Sequence, residues 1–385
     1  MADATSPSSR SPVRFIPGDE NKAPRPGIAL CLSGGGYRAM VFHIGALWRL
    51  NELGFLPKLA RISSVSGGSI TAGVLALKWS RLQFDSHTGV SRSFVTEVVA
   101  PLRALAGNTL DVGDGLKGLL LPGTVAEYVA ASYRRYLFGA ATLQDLPDDP
   151  RFVFNSTNVQ TGSLWRFSKP FMADWQVGVV KHPKIDLAVA VGASSAFPPV
   201  LSPVRLTLND SDFEPNSGKG LQTPPYTTHV VLTDGGVYDN LGLETAWKNY
   251  DTVLVSDAGA HMAPEPEPHT DWARQALRVN DLIDNQVCNL RQRQLIDSYM
   301  NGDRKGTYWA TRSNIGNYPA GGTLPCPFAA TQKLASVPTR LAAMDDLTQQ
   351  QLVNWGYAIC DAAMRSHVVT GSTAPAAFPY PAAGV

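Results

Sequence analysis

Two short apolar runs, each stopped by a cluster of small residues and each followed by a helical pattern, constrain this chain more than any other feature. GIALCLSGGG (27–36) leads into YRAMVFHIGALWRLNELG (37–54), where Met40, Ile44, Leu47 and Leu50 fall at helical spacing and Gly54 supplies a stop. LARISSVSGG (59–68) leads into a second helical pattern that runs to about Trp79. Strand, tight turn and helix, twice over, is the pattern of an α/β fold with a parallel sheet covered by helices. Both turns then lie at the carboxyl ends of strands, where open α/β sheets place their ligands.

Further along, residues 91–147 read as mainly helical, FVFNSTNVQTGSLWRF (152–167) as two strands or a hairpin, and IDLAVAVGASSAFPPV (185–200) as a helix stopped by Pro198 and Pro199. Residues 207–227 are a polar, turn-rich insertion. HVVLTDGG (229–236) and DTVLVSDAG (251–259) read as buried strands. Trp272, Ala276, Val279, Ile283, Val287 and Leu290 step by three and four along a long amphipathic helix over 272–300, and a last helix covers roughly 344–366. This predicts one domain over 27–369, with a motif-bearing core at about 27–260 and a helical extension at about 270–366. The Ser-, Pro- and Ala-rich residues 1–26 and the stretch 370–385 are expected to be flexible tails.

Composition narrows the function classes. Hydrophobic residues at 44% and charged residues at 17% support a large buried core and exclude a disordered chain. Lys+Arg 33 against Asp+Glu 32 lacks the basic surplus that binding a nucleic-acid polymer requires. Cys31, Cys288, Cys326 and Cys360 form no C-x-x-C pair and read as reduced cysteines of a cytosolic protein. The amino terminus has no apolar core of a secretory signal, and no run of 18 apolar residues occurs, so any membrane contact is expected to be peripheral.

Three motifs carry chemistry. Ser66, in Ser64-Val65-Ser66-Gly67-Gly68, sits between a strand and a helix, where a sharp turn lifts a hydroxyl clear of the sheet as in a nucleophile elbow. Ser64 stands where G-x-S-x-G has glycine, and fits if its backbone avoids positive φ. A glycine-rich turn or a phosphate loop is the alternative reading. Gly34-Gly35-Gly36 allows several backbone N–H groups to face one point, as an oxyanion requires. The spacing fails both G-x-G-x-x-G and the Walker loop, which leaves oxyanion and phosphate binding open. Asp234-Gly235-Gly236 ends the strand HVVLT, so its carboxylate should emerge at the same sheet edge as Ser66; alone, such a turn is more often only a turn.

Together, SGGGYRA (33–39), HIGAL (43–47), SVSGGS (64–69), ASSAFPPV (193–200) and DGGVYDNLG (234–242) make the chain resemble the patatin-like phospholipase family over roughly 27–260. The resemblance implies a three-layer α/β/α fold with a mostly parallel sheet. It also implies a lipid acyl hydrolase of the phospholipase A or lysophospholipase type, cleaving carboxylic esters through an acyl-enzyme. By motif position, the resemblance implies Ser66 as the nucleophile and Asp234 as its base. It implies that the Gly34, Gly35 and Gly36 backbone with the Gly67 N–H forms the oxyanion hole, and that Arg38 orients the loop or attracts an anionic headgroup. The implied partner is a phospholipid or other lipid ester, met through peripheral membrane contact from the cytoplasm. Convincing metal spacing is absent, and neither metal nor cofactor is expected. A general lipid esterase or acyltransferase on the same dyad is the nearest alternative. A signal-activated effector of the bacterial-defence type is a further one, weakened by the lack of a separate sensor domain.

The order Ser66…Asp234…His261 also fits an α/β-hydrolase triad. The resemblance favours the dyad. His43 is expected to pack structurally, and Asp239 with Asn240 to cap the following helix. LDVGDGLKGLLLPGTV (110–125), with Leu116, Leu119, Leu120 and Leu121, reads either as an interfacial lid or as core.

Overall fold

The computed structural model describes residues 24–110, 125–260 and 262–385. Strand β1 (Arg25–Leu32) already dictates the layering. Its Leu30 and Leu32 enter one apolar core, while Ala29 and Cys31 enter a second core on the opposite face. A strand buried on both sides needs helices on both sides.

The chain continues through α1 (Gly36–Glu52), β2 (Leu59–Ser64), α2 (Gly67–Lys78), α3 (Ala100–Ala106) and α4 (Val125–Tyr133). The strands β3 (Arg151–Asn158), β4 (Ser163–Phe167), β5 (Phe171–Asp174) and β6 (Gly178–Lys181) precede α5 (Leu187–Ser194), β7 (Val204–Thr207) and β8 (His229–Asp234). Then come α6 (Gly236–Asp239), α7 (Glu244–Trp247), β9 (Tyr250–Asp257), α8 (Trp272–Met300), β10 (Lys305–Ala310), α9 (Phe328–Ala335) and α10 (Asp346–His367). The larger core lies under α1, α2, α5 and α10; the smaller one lies under α7 and α8.

The sheet is mixed. β10, β9, β1, β2 and β3 lie side by side in parallel, and β4, β5 and β6 extend the sheet as an antiparallel meander. One strand departs from the expected grammar. β8 is antiparallel to β3 and pairs with Ser156–Asn158, whereas β2 pairs in parallel with Arg151–Phe154. Since β4 occupies the other edge of β3, β2 and β8 share one edge and meet end to end across Asn155. The Ser66 turn and Asp234 are therefore brought together by two strands running toward each other, not by the ends of neighbouring parallel strands.

Helices α1 and α10 cross at glycines. A Cβ on Gly45 would lie 2.0 Å from the Val353 carbonyl oxygen, and one on Gly356 would lie 2.0 Å from that of Phe42. The stretch 370–385 is not the loose tail expected. Asn354 donates to the Tyr380 and Gly384 carbonyls at 2.8 Å, Arg49 donates to Thr373 O at 3.0 Å, and Trp48 packs edge-on against Tyr380. The tail expected at 1–26 is shorter at its inner end, because Arg25 already pairs with Tyr250 in the sheet; residues 1–23 lie outside the described residues. The leucines Leu116, Leu119, Leu120 and Leu121, read as either an interfacial lid or core, also lie outside them. Helix α8 turns its apolar stripe outward, leaving Trp272, Ile283 and Leu290 exposed. Among the described residues, no helix is long and apolar enough to cross a membrane.

Candidate active site

Strand β2 ends at Ser64, and two residues later Ser66 occupies φ 51°, ψ −121°, a backbone region that non-glycine residues rarely hold. It caps α2 and is 8% exposed, opening onto a cavity. Ser64 shows no positive φ, which is why a serine is tolerated where glycine is usual. The following residues must be small for a steric reason. A Cβ on Gly67 would meet the Gly36 carbonyl oxygen at 2.1 Å, and one on Gly68 would meet Leu32 O at 2.4 Å. The Ser66 turn and the glycine loop thus touch backbone to backbone.

The glycine loop separates into free and committed donors. Gly34 donates its N–H to Asn240 O at 3.0 Å, so the expectation that it faces an oxyanion is not met in this arrangement. The N–H groups of Gly35, Gly36 and Gly67 have no acceptor among the described residues. Gly35 (φ 140°) and Gly36 (φ 60°) hold conformations that suit glycine, and both line the cavity. Arg38 is 2% exposed and donates to Ala258 O and Val337 O. Burial pushes its guanidinium down to about 10. Buried in this way, it has the geometry to orient the loop and none to meet a headgroup. Tyr37 N–H is likewise donated to Arg340 O at 2.9 Å, so residues 337–341 brace the loop from outside.

Asp234 closes the site from the other strand. Its Oδ1 accepts the Gly236 N–H at 2.6 Å, and its Oδ2 is buried without a hydrogen-bond partner. Burial raises the carboxyl to about 7; the Gly236 N–H and the Ser66 hydroxyl both favour the ionised form, while Asp284 opposes it. The Ser66 hydroxyl is thus near enough to act on the carboxylate, yet it closes no hydrogen bond onto Oδ2. A long nucleophile–base contact is common before substrate binds. Ser66, Asp234, Gly35 and Gly36 line one cavity of about 520 Å3, whose walls include Phe197, Val200 and Leu341.

The histidines are placed differently. His43 is buried between Ser256 Oγ at 2.9 Å and Ser33 O at 3.0 Å, and burial lowers it to about 4, so it is neutral and structural. His261 lies outside the described residues. Asp239 accepts the Glu244 N–H at 2.8 Å, a helix cap, and Asp257 accepts the Tyr308 hydroxyl at 2.7 Å at the sheet edge.

Sequence reasoning gave no role to Asn155 or Ser194, and gave Asn240 only a helix cap, not the carbonyl that takes the Gly34 N–H. Ser194 and Asn240 lie in two of the quoted motifs, ASSAFPPV and DGGVYDNLG, so the signal was present without a geometry to interpret it. Asn155 had none, because nothing in the sequence marks the place where two strands meet. The family model for patatin-like phospholipases matches residues 30–247, more than half of the chain. The chain belongs to the patatin-like phospholipase family. This is a family of serine lipid hydrolases.

No curated protein sequence matches this patatin-like chain. Among solved structures, human GIVD cytosolic phospholipase A2 is similar at 13% identity and TM-score 0.47, with 88% of this chain and 58% of that chain covered. The chain thus spans a little over half the length of the human enzyme. VipD from Legionella pneumophila is similar at 15% identity and TM-score 0.32, covering 86% of this chain and 73% of that one. The family match ends at residue 247, yet Arg278, Asp284 and Arg340 line the cavity from beyond it.

Proposed function

We propose that this patatin-like protein hydrolyses carboxylic esters of lipids, of the phospholipase A or lysophospholipase kind, through a Ser66–Asp234 dyad and an acyl-enzyme. The observation that carries the reading is Asp234: a buried carboxyl raised to about 7, with one unpartnered oxygen, lining the same cavity as a serine held at φ 51°. An aspartate at its ordinary value is a poor acceptor for a serine proton; one raised to near neutrality is matched to the task.

Asp234 Oδ2 takes the hydroxyl proton as Ser66 Oγ attacks the ester carbonyl. The Gly35, Gly36 and Gly67 N–H groups receive the developing oxyanion; one such donor is typically worth ~3 kcal/mol. Asp234 returns the proton to the leaving alkoxide, and water repeats the sequence on the acyl-enzyme. Phe197, Val200 and Leu341 offer the acyl chain an apolar wall. Four unpaired cysteines, three of them buried, support a reducing compartment such as the cytoplasm, from which the enzyme would meet its substrate at a membrane surface.

The test is fatty-acid release from defined phospholipids beside a short-chain ester, with fluorophosphonate labelling. Ser66→Ala should abolish all three with an unchanged circular dichroism spectrum. A folded Ser66→Ala protein that keeps more than a few per cent of the activity would remove Ser66 from the mechanism. Hydrolysis of the short ester alone would point to the general esterase instead.

A further inference from the structure

The end-to-end meeting of β2 and β8 leaves a gap in the ladder along β3, and the last residue of α5 fills it. We propose that Ser194 is a positioning residue that holds nucleophile and base in register, an inference that rests on the Ser66–Asp234 reading above. The Ser194 carbonyl accepts two N–H groups, from Ser66 at 3.1 Å and from Gly235 at 3.3 Å, so a single oxygen ties the nucleophile to the residue after the base. Two residues on, the Ala196 carbonyl accepts the N–H of Asp234 itself at 3.0 Å.

The side chain adds what the backbone cannot. Its hydroxyl donates to Asn155 O at 2.6 Å, at the β3 residue that faces the gap. The same oxygen lies 3.2 Å from the Ser66 N–H as a second acceptor. Ser69 Oγ, 2.8 Å away, has one hydrogen to share between Ser194 and Ser64. Ser194 is fully buried, so water cannot replace any of these contacts. The strained turn at Ser66 persists only while its surroundings over-determine it. Ser194 supplies both acceptors for the one N–H that fixes that turn, and neither strand alone can set the separation between Oγ and Oδ2.

The test uses the full chain, with kcat, KM, labelling rate and melting temperature measured together. Ser194→Ala leaves both carbonyl contacts and deletes the hydroxyl. It should lower kcat and fluorophosphonate labelling about tenfold with KM within twofold, because a small misplacement of reacting groups acts on rate more than on binding. Ser194→Cys keeps the space filled but hydrogen-bonds weakly, so it should fall with alanine; it also carries the test should alanine fail to fold. Wild-type kcat in either folded variant would overturn the inference, as would kcat and KM changing only in proportion to the folded fraction. Wild-type protein that neither labels nor hydrolyses would overturn the dyad reading beneath it; an active, labelled wild type beside an unaffected variant overturns the Ser194 inference alone.

Discussion

Asp234→Asn should produce a protein that is inactive and whose stability gains on the wild type as pH rises through neutrality. The carboxyl is fully buried and raised from 3.8 to about 7, so the fold favours its neutral form. At 1.36 kcal/mol per pH unit, holding it ionised costs the folded state on the order of 4 kcal/mol. The sign follows: wild-type stability from this group is complete below pH 3.8, declines as pH rises, and levels off above about 7. Roughly 2–3 kcal/mol of the loss falls between pH 5 and 8, which for a chain of this length is a melting-temperature difference of about 3 °C. Asparagine does not titrate, so the gap between variant and wild type should widen by that amount across the interval, whatever fixed offset the amide introduces. His43, lowered to about 4, costs stability as pH falls from 6.5, but it does so in both proteins and cancels. The assay is thermal unfolding of both proteins at half-unit steps from pH 4 to 9. A gap that stays flat would refute a carboxyl buried at high cost, and with it the base matched to neutral pH.

For the wild type, kcat/KM should rise with pH to a plateau above about 7, since only ionised Asp234 accepts the proton; a limb near pH 4 would place the base elsewhere. Gly35→Ala puts a Cβ 2.6 Å from Ala258 O at φ 140°, so it should lower kcat far more than KM by tilting the free donors; a change in KM alone would mean that the loop binds the ground state. Gly356→Ala puts a Cβ 2.0 Å from Phe42 O and should cost about 1–3 kcal/mol by prising α1 from α10, read as a fall in melting temperature; an unchanged value would show that the crossing has slack.

Much of the frame was readable because its signals are local. Helical spacing over 40–50 marks α1, and the small residues after β1 and β2 mark turns that backbone contact demands. What escaped was set by distant partners. β8 looks like any buried strand, and its direction depends on β3 having one edge free only beyond Phe154. Gly34 looks the same as Gly35 in sequence; only the Asn240 carbonyl, over two hundred residues away, removes its N–H from the site. The stretch 370–385 has the composition of a tail, and its order comes from Asn354, Arg49 and Trp48 on helices that meet it only in the folded protein. The stripe on α8 has a helical period but lies toward solvent, because periodicity gives a face and not what that face meets.

The bracing of the glycine loop by residues 337–341 would make the proposed catalytic unit indivisible. Arg38 reaches Val337, Tyr37 reaches Arg340, and Leu110 donates to Leu341 O at 2.7 Å. All three contacts leave the family-matched segment for a stretch that begins some ninety residues after it. The recognisable motifs therefore do not amount to a transplantable enzyme. A chain ending near residue 250 would keep serine, aspartate and glycines while losing the scaffold that aims the donors. Relatives with identical motifs but a different C-terminal third would then differ in rate with no change at any reacting group, and the raw material for tuning this chemistry would lie where motif searches do not look.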